Sequence, residues 1–144
     1  MRKMKNKIDT IAIEFLDHVA IRVTDMKASV KWYEEVLGLK KQQLPEWGDS
    51  PIFMLANKSG IALFPANFNS EVTDTPMSNT RIDHFAFNVN KKNFEKAKKR
   101  FTAISLDFNI KNHHYFHSIY IKDPDNYTVE LTTIVVNEKK FYEQ

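Results

Sequence analysis

At 144 residues the chain is the size of one compact domain, and 42% hydrophobic with 12% aromatic residues supply enough apolar surface for a core. With no cysteine it excludes disulfides, zinc–thiolate sites and thiol nucleophiles, so any metal must sit on nitrogen and oxygen ligands. The net charge of +3 is modest and no apolar run approaches the ~20 residues that span a bilayer, so a cytoplasmic protein with no membrane partner is expected.

Residues 1–14 read as an N-terminal extension. Met1 to Lys7 is basic like the start of a signal peptide, but Ile8-Asp9-Thr10 follows where an apolar stretch would be needed. The first predicted strand is His18–Val23. Asp25 is a fit N-cap for a helix carrying Met26, Val30, Tyr33 and Leu37 on one face, and Gly38 is placed to end it. Extended segments follow at 39–43, 52–55 and 61–64, the last two joined by a turn at Asn57-Lys58-Ser59-Gly60. A stretch from Pro65 to Thr80 links this to a second series.

There the chain repeats itself. Asp83-His84-Phe85-Ala86-Phe87-Asn88-Val89 matches Asp17-His18-Val19-Ala20-Ile21-Arg22-Val23 at a spacing of 66 residues. Asn90 caps a second helix with Phe94, Ala97 and Phe101 on its buried face. Strands are expected around 105–109, 118–121 and 127–132, with a turn at Asp123-Pro124-Asp125-Asn126. Lys91, Lys92, Lys96, Lys98, Lys99 and Arg100 form the solvated face of that helix, which argues against nucleic-acid binding. The expected fold is α+β. Two βαβββ modules, about 15–66 and 81–136, form a single domain spanning 15–144, with sheets curled around a cleft and helices outside.

Alternation along the strands sorts the site residues. Val19, Ile21 and Val23 share the face that packs under a helix, leaving His18, Ala20 and Arg22 on the other. The second copy puts His84, Ala86 and Asn88 on that concave side, and the last strand adds Thr128, Glu130 and Thr132. A carboxylate on a central strand in a concavity is costly unless a cation compensates it. Two imidazoles and one carboxylate suit divalent iron, nickel, manganese or zinc.

Leu16 to Met26, Ser29-Val30-Lys31-Trp32-Tyr33, Leu37-Gly38-Leu39 and the closing stretch from Ser118 to Leu131 together resemble the glyoxalase/bleomycin-resistance/dioxygenase (vicinal oxygen chelate) superfamily. Asn126 stands where the family pattern has Gly, a substitution the turn tolerates because Asn enters the left-handed region readily. The resemblance implies His18, His84 and Glu130 as ligands of one divalent metal ion, a small-molecule substrate and a homodimer. It also implies that the fourth, carboxylate ligand of glyoxalase I members is missing, because Ala62 takes that place. The expected activity is that of a glyoxalase-like lyase or isomerase. The alternatives are an extradiol-type dioxygenase, a fosfomycin-type thiol transferase, or a metal-free binding protein.

Beyond Glu130, His114 and His117 are candidates for acid–base catalysis, against the blander reading of exposed or core-satisfied histidines. Arg22, Asn88 and Tyr120 are candidate substrate contacts, with Arg22 alternatively solvated and Tyr120 alternatively in the core. Trp32, Tyr33 and Trp47 read as packing residues.

Overall fold

Asp25 both stops the first strand and starts the first helix. Its side chain accepts the N–H of Ala28, and Gly38 closes the helix at φ 67° with its own N–H on the Glu34 carbonyl. The computed structural model describes residues 10–67 and 81–143 and shows one βαβββ module after another. Module one comprises β1 (His18–Val23), α1 (Met26–Leu37), β2 (Lys40–Gln42), β3 (Ile52–Ala56) and β4 (Ser59–Pro65). Module two comprises β5 (Phe85–Asn88), α2 (Lys91–Ala103), β6 (Asn109–Asn112), β7 (Phe116–Lys122) and β8 (Thr128–Ile134), followed by the short α3 (Lys139–Tyr142). The two sheets have the same order, β1-β4-β3-β2 and β5-β8-β7-β6, with a parallel pair first and antiparallel pairs after it. They are separate four-stranded sheets, and β1 and β5 are edge strands.

The core follows the alternation read from the sequence. Ile21 and Val23 of β1 lie under α1 with Val30 and Tyr33, while Ile119, Ile121, Val129 and Leu131 lie under α2 with Phe94 and Phe101. Asn90 caps α2 through the N–H of Asn93, as expected.

One strand differs from expectation. Residues 105–108 are not a strand, because Ser105 takes φ 58° to end a helix that has no glycine at its C-terminus. Leu106 and Phe108 then pack on the core, and pairing with β7 begins only at Asn109. A 3-10 turn at Pro45–Trp47 and the helix α3 were not expected either. Residues 1–9 of the anticipated N-terminal extension and 68–80 of the linker lie outside the described residues; Pro65 itself ends β4.

The closing Asp-Pro-Asp-Asn turn joins the modules. Asp123 is buried; one carboxylate oxygen accepts the N–H groups of Asp125 and Tyr127 at 2.9 and 2.8 Å. The other accepts the Tyr33 hydroxyl at 2.7 Å across the module boundary. Asp125 accepts the N–H of Thr24, and the Tyr127 hydroxyl donates to the Arg22 carbonyl at 3.0 Å. Asn126 supports the turn at φ 71°. The turn is thus a polar clasp that fixes the two sheets relative to each other.

Candidate metal centre

Glu130 sits in the middle of β8, directly across from Ala86 on one side and Tyr120 on the other. Because cross-strand partners share a face, the Tyr120 phenol points to the same side as the carboxylate. His84 immediately precedes β5 and reaches over that face, placing Nε2 2.9 Å from Glu130 Oε1. Glu130 is 7% exposed, so its carboxylate is largely withdrawn from water. The other imidazole nitrogen, Nδ1, lies 2.7 Å from Asp83 Oδ2. The hydrogen bond from His84, and then the charge of that ring, hold the Asp83 carboxyl below the usual carboxylate range. An ionised Asp83 can only accept, so Nδ1 carries the proton and Nε2 is left to face Glu130.

Tyr120 stands beside both groups. Its ring meets His84 edge-on at 5.7 Å, and its hydroxyl lies 2.9 Å from His113 Nε2. Burial, and next the nearby Glu130 carboxylate, push the phenol above its ordinary value, so it stays protonated at neutral pH. Ser118 and Thr132 share a hydrogen bond at 2.9 Å alongside. These groups border a hollow of about 300 Å³ lined by His113, Phe116, Ser118, Glu130, Thr132 and Tyr142. Tyr142 arrives from α3, where Phe141 packs on Phe116 at 4.9 Å. A larger cleft of about 350 Å³ lies between the end of α1 and α2 and contains none of the expected site residues.

His18 lies elsewhere, at the start of β1, with Nδ1 2.8 Å from Asp17 and its ring edge-on to Phe53 at 4.8 Å. Among the described residues no group of three His, Asp or Glu side chains stands close enough to hold one ion. Of the three expected ligands, the fold therefore brings His84 and Glu130 together within the chain and leaves His18 apart.

Arg22 and Asn88 occupy matching exposed positions on the concave side of β1 and β5, and Arg22 Nη1 lies 3.4 Å from the Pro65 carbonyl. Of the histidine cluster, it is His113 that reaches the hollow. His114 takes φ 69° in the turn before β7, where its N–H donates to Asn112 Oδ1. His117 alternates with Ile119 and Ile121, on the opposite side of β7 from Ser118 and Tyr120. Neither His114 nor His117 joins the His84–Glu130–Tyr120 group. In the sequence His113 stands in a cluster with His114 and His117 but is not among the acid–base candidates, and Phe53 and Tyr142 are not among the site candidates. For Phe53 a signal existed: β3 occupies in module one the place of β7 in module two, so Phe53 matches Tyr120 across Ala62 and Glu130.

Known proteins carry the same architecture. Over 137 residues the chain is 26% identical to the metallothiol transferase FosB of Lysinibacillus sphaericus, covering 92% of this chain and 91% of that protein. It is 27% identical to the lactoylglutathione lyase of Schizosaccharomyces pombe, of which it spans about half, 47%. A solved glyoxalase/dioxygenase from Nostoc punctiforme superposes with a TM-score of 0.68 at 18% identity, covering 90% of this chain and 100% of that one. The sequence model of the Glyoxalase/Bleomycin resistance protein/Dioxygenase superfamily matches residues 15–131, and the chain belongs to that superfamily.

Proposed function

We propose that the protein is a metal-dependent enzyme acting on a small substrate that chelates one divalent ion through adjacent oxygens. In this reading His84 and Glu130 of one subunit, with His18 of a second subunit, are the protein ligands. The observation that carries it is the approach of His84 Nε2 to the buried Glu130 carboxylate. With Nδ1–H engaged by Asp83, His84 turns Nε2 towards the buried Glu130 carboxylate at 2.9 Å. A buried carboxylate needs positive charge beside it, which a bound ion, or a second proton on His84, would supply. An imidazole nitrogen and a carboxylate oxygen are the donors a divalent ion takes, and His84 and Glu130 would hold one between them. His18 has the same preparation, with Asp17 on its Nδ1.

The need for a second subunit rests on topology. β1 and β5 are both edge strands, and Ile11, Ile13, Leu16 and Ile82 are exposed beside them. A symmetric pair of chains setting β1 of one against β5 of the other covers both edges and brings His18 to the other two ligands.

An ion bound there supplies Lewis-acid polarisation of a substrate oxygen. The chain's own contributions surround that position. Tyr120 keeps its proton and offers a hydroxyl beside the ligands, while His113 sets the direction of that hydroxyl. Phe116 and Tyr142 line the hollow beside them.

Within this class, transfer of a thiol to a small electrophile is favoured over glyoxalase-type isomerisation. Ala62 faces Ala20 and Phe53, where isomerisation would call for a second carboxylate base, and a relative matched over 91% of its length is a metallothiol transferase. The test is metal content by elemental analysis after anaerobic purification, for wild type and for a His84→Ala, Glu130→Ala variant. About one ion of iron, nickel, manganese or zinc per chain, lost in the variant, supports the site. Wild-type protein that takes up none of these metals when offered them refutes it and leaves a metal-free binding protein.

A further inference from the structure

The two concave faces match position by position, yet they differ in chemistry. In module two, Ala86, Glu130 and Tyr120 lie in one cross-strand row; in module one the row is Ala20, Ala62 and Phe53. Each histidine has the aromatic of its row edge-on, Phe53 against His18 at 4.8 Å and Tyr120 against His84 at 5.7 Å. Beyond that ring comes one more flat side chain. Over Tyr120 it is His113, and over Phe53 it is Trp47, with ring centres 5.3 Å apart. Glu130, Tyr120 and His113 are thus answered by Ala62, Phe53 and Trp47.

Module one lays down an apolar wall where module two lays down a polar one. Trp47 is 38% exposed, although its indole is large enough to have been buried at a gain. The 3-10 turn holds it there. Gln43 Nε2 donates to the carbonyls of Gly48 and Asp49, and Gly48 leaves the turn at φ 71°. A polar substituent laid on Phe53 and Ala62 would be stripped of water with little to replace it, whereas a ring would gain two aromatic neighbours.

We propose that Trp47 and Phe53 of the subunit that supplies His18 form a ring-accepting wall of the substrate site completed by the other subunit's His84 and Glu130, so that the preferred substrate carries an aromatic group next to its chelating oxygens. The inference rests on the metal-site reading above, and names the class of substrate that site takes. Chelating oxygens lie centrally, the ring faces Trp47 and Phe53, and the polar end faces Tyr120 and His113.

The test uses zinc-loaded protein carrying Trp32→Phe, so that Trp47 is the sole tryptophan and its fluorescence reports on the wall. The probes are benzohydroxamate and acetohydroxamate, which share one bidentate oxygen chelate and differ in phenyl against methyl. Benzohydroxamate is expected to bind about tenfold more tightly and to shift the Trp47 emission, as burial of one ring face against two aromatics implies. Calorimetry on Trp47→Ala and, separately, Phe53→Leu should cut that preference to about two- to threefold, read within each variant as the ratio of the two affinities. Equal affinities in the parent protein, or a preference that survives both substitutions, would overturn the proposal while leaving the metal site standing. Failure of both hydroxamates to bind the zinc-loaded protein would sink the metal-site reading, and this inference with it.

Discussion

Tyr33→Phe isolates the clasp between the modules, because it removes one oxygen and leaves the ring. Tyr33 is fully buried, and its hydroxyl donates to the buried Asp123 carboxylate at 2.7 Å. A hydrogen bond to a charged, buried acceptor contributes about 1.5–3 kcal/mol. Asp123 keeps the two N–H donors of Asp125 and Tyr127 on its other oxygen, so the loss should stay near 2 kcal/mol and not reach the larger cost of a stranded charge. In urea, with a slope of about 1.5–2 kcal/mol per molar for a chain of this size, the unfolding midpoint falls by about 1 M. Paired with Asp123→Asn in a double-mutant cycle, most of the Tyr33→Phe cost should disappear, since the two groups act on each other. A midpoint within about 0.2 M of wild type, or two costs that simply add, would refute the assignment of the closing turn as a clasp.

Two further outcomes are expected. Mixing unfolded His18→Ala chains with unfolded His84→Ala, Glu130→Ala chains and refolding them together should restore about 0.25 ion per chain, because half the dimers are mixed and each mixed dimer has one intact site. Sites completed within one chain would restore none. Stability should also fall above pH about 10. Burial, followed by the Asp123 contact, raises the Tyr33 pKa far above 10.0, and burial raises that of Tyr127. The unfolded chain then releases protons that the folded chain retains, so the stabilisation is complete below pH about 10 and is lost as pH climbs towards the folded values. Tyr33→Phe should decline less steeply there, by about 1.4 kcal/mol per pH unit in chemical denaturation at stepped alkaline pH; equal slopes would show that the Tyr33 hydroxyl does not titrate differently in the two states.

The modules and the ligand face were legible because both depend on short-range rules. Asp25 and Asn90 cap their helices through the predicted side-chain oxygens, and the period of two along β1 and β8 separates His18 and Glu130 from the core. Ser105 was not legible in the same way. Nothing local marks a serine for φ 58°, and the strand start moved to Asn109 with it. Which of three histidines faces the hollow was equally hidden, because His114 turns the chain at φ 69° and breaks the alternation that would have ranked them.

The apolar wall was missed for a more instructive reason, which lies in the arithmetic of the repeat. His18 and His84 are 66 residues apart, but the registers pair Phe53 with Ala62 and Tyr120 with Glu130, which are nine and ten residues apart. Phe53 and Tyr120 are 67 residues apart and Ala62 and Glu130 are 68 apart, so module two gains one residue before β7 and a second within the hairpin. Carrying the spacing of 66 onward from Phe53 lands on Ile119, which is fully buried on the opposite face of β7. One inserted residue reverses every side chain beyond it, so a repeat can stay obvious in its histidines and still misassign its hairpins. Only the hydrogen-bonded register restores the match of Phe53 to Tyr120. That match exposes the asymmetry of the two faces: the modules share a fold, and module one has an aromatic wall where module two has its acid and phenol.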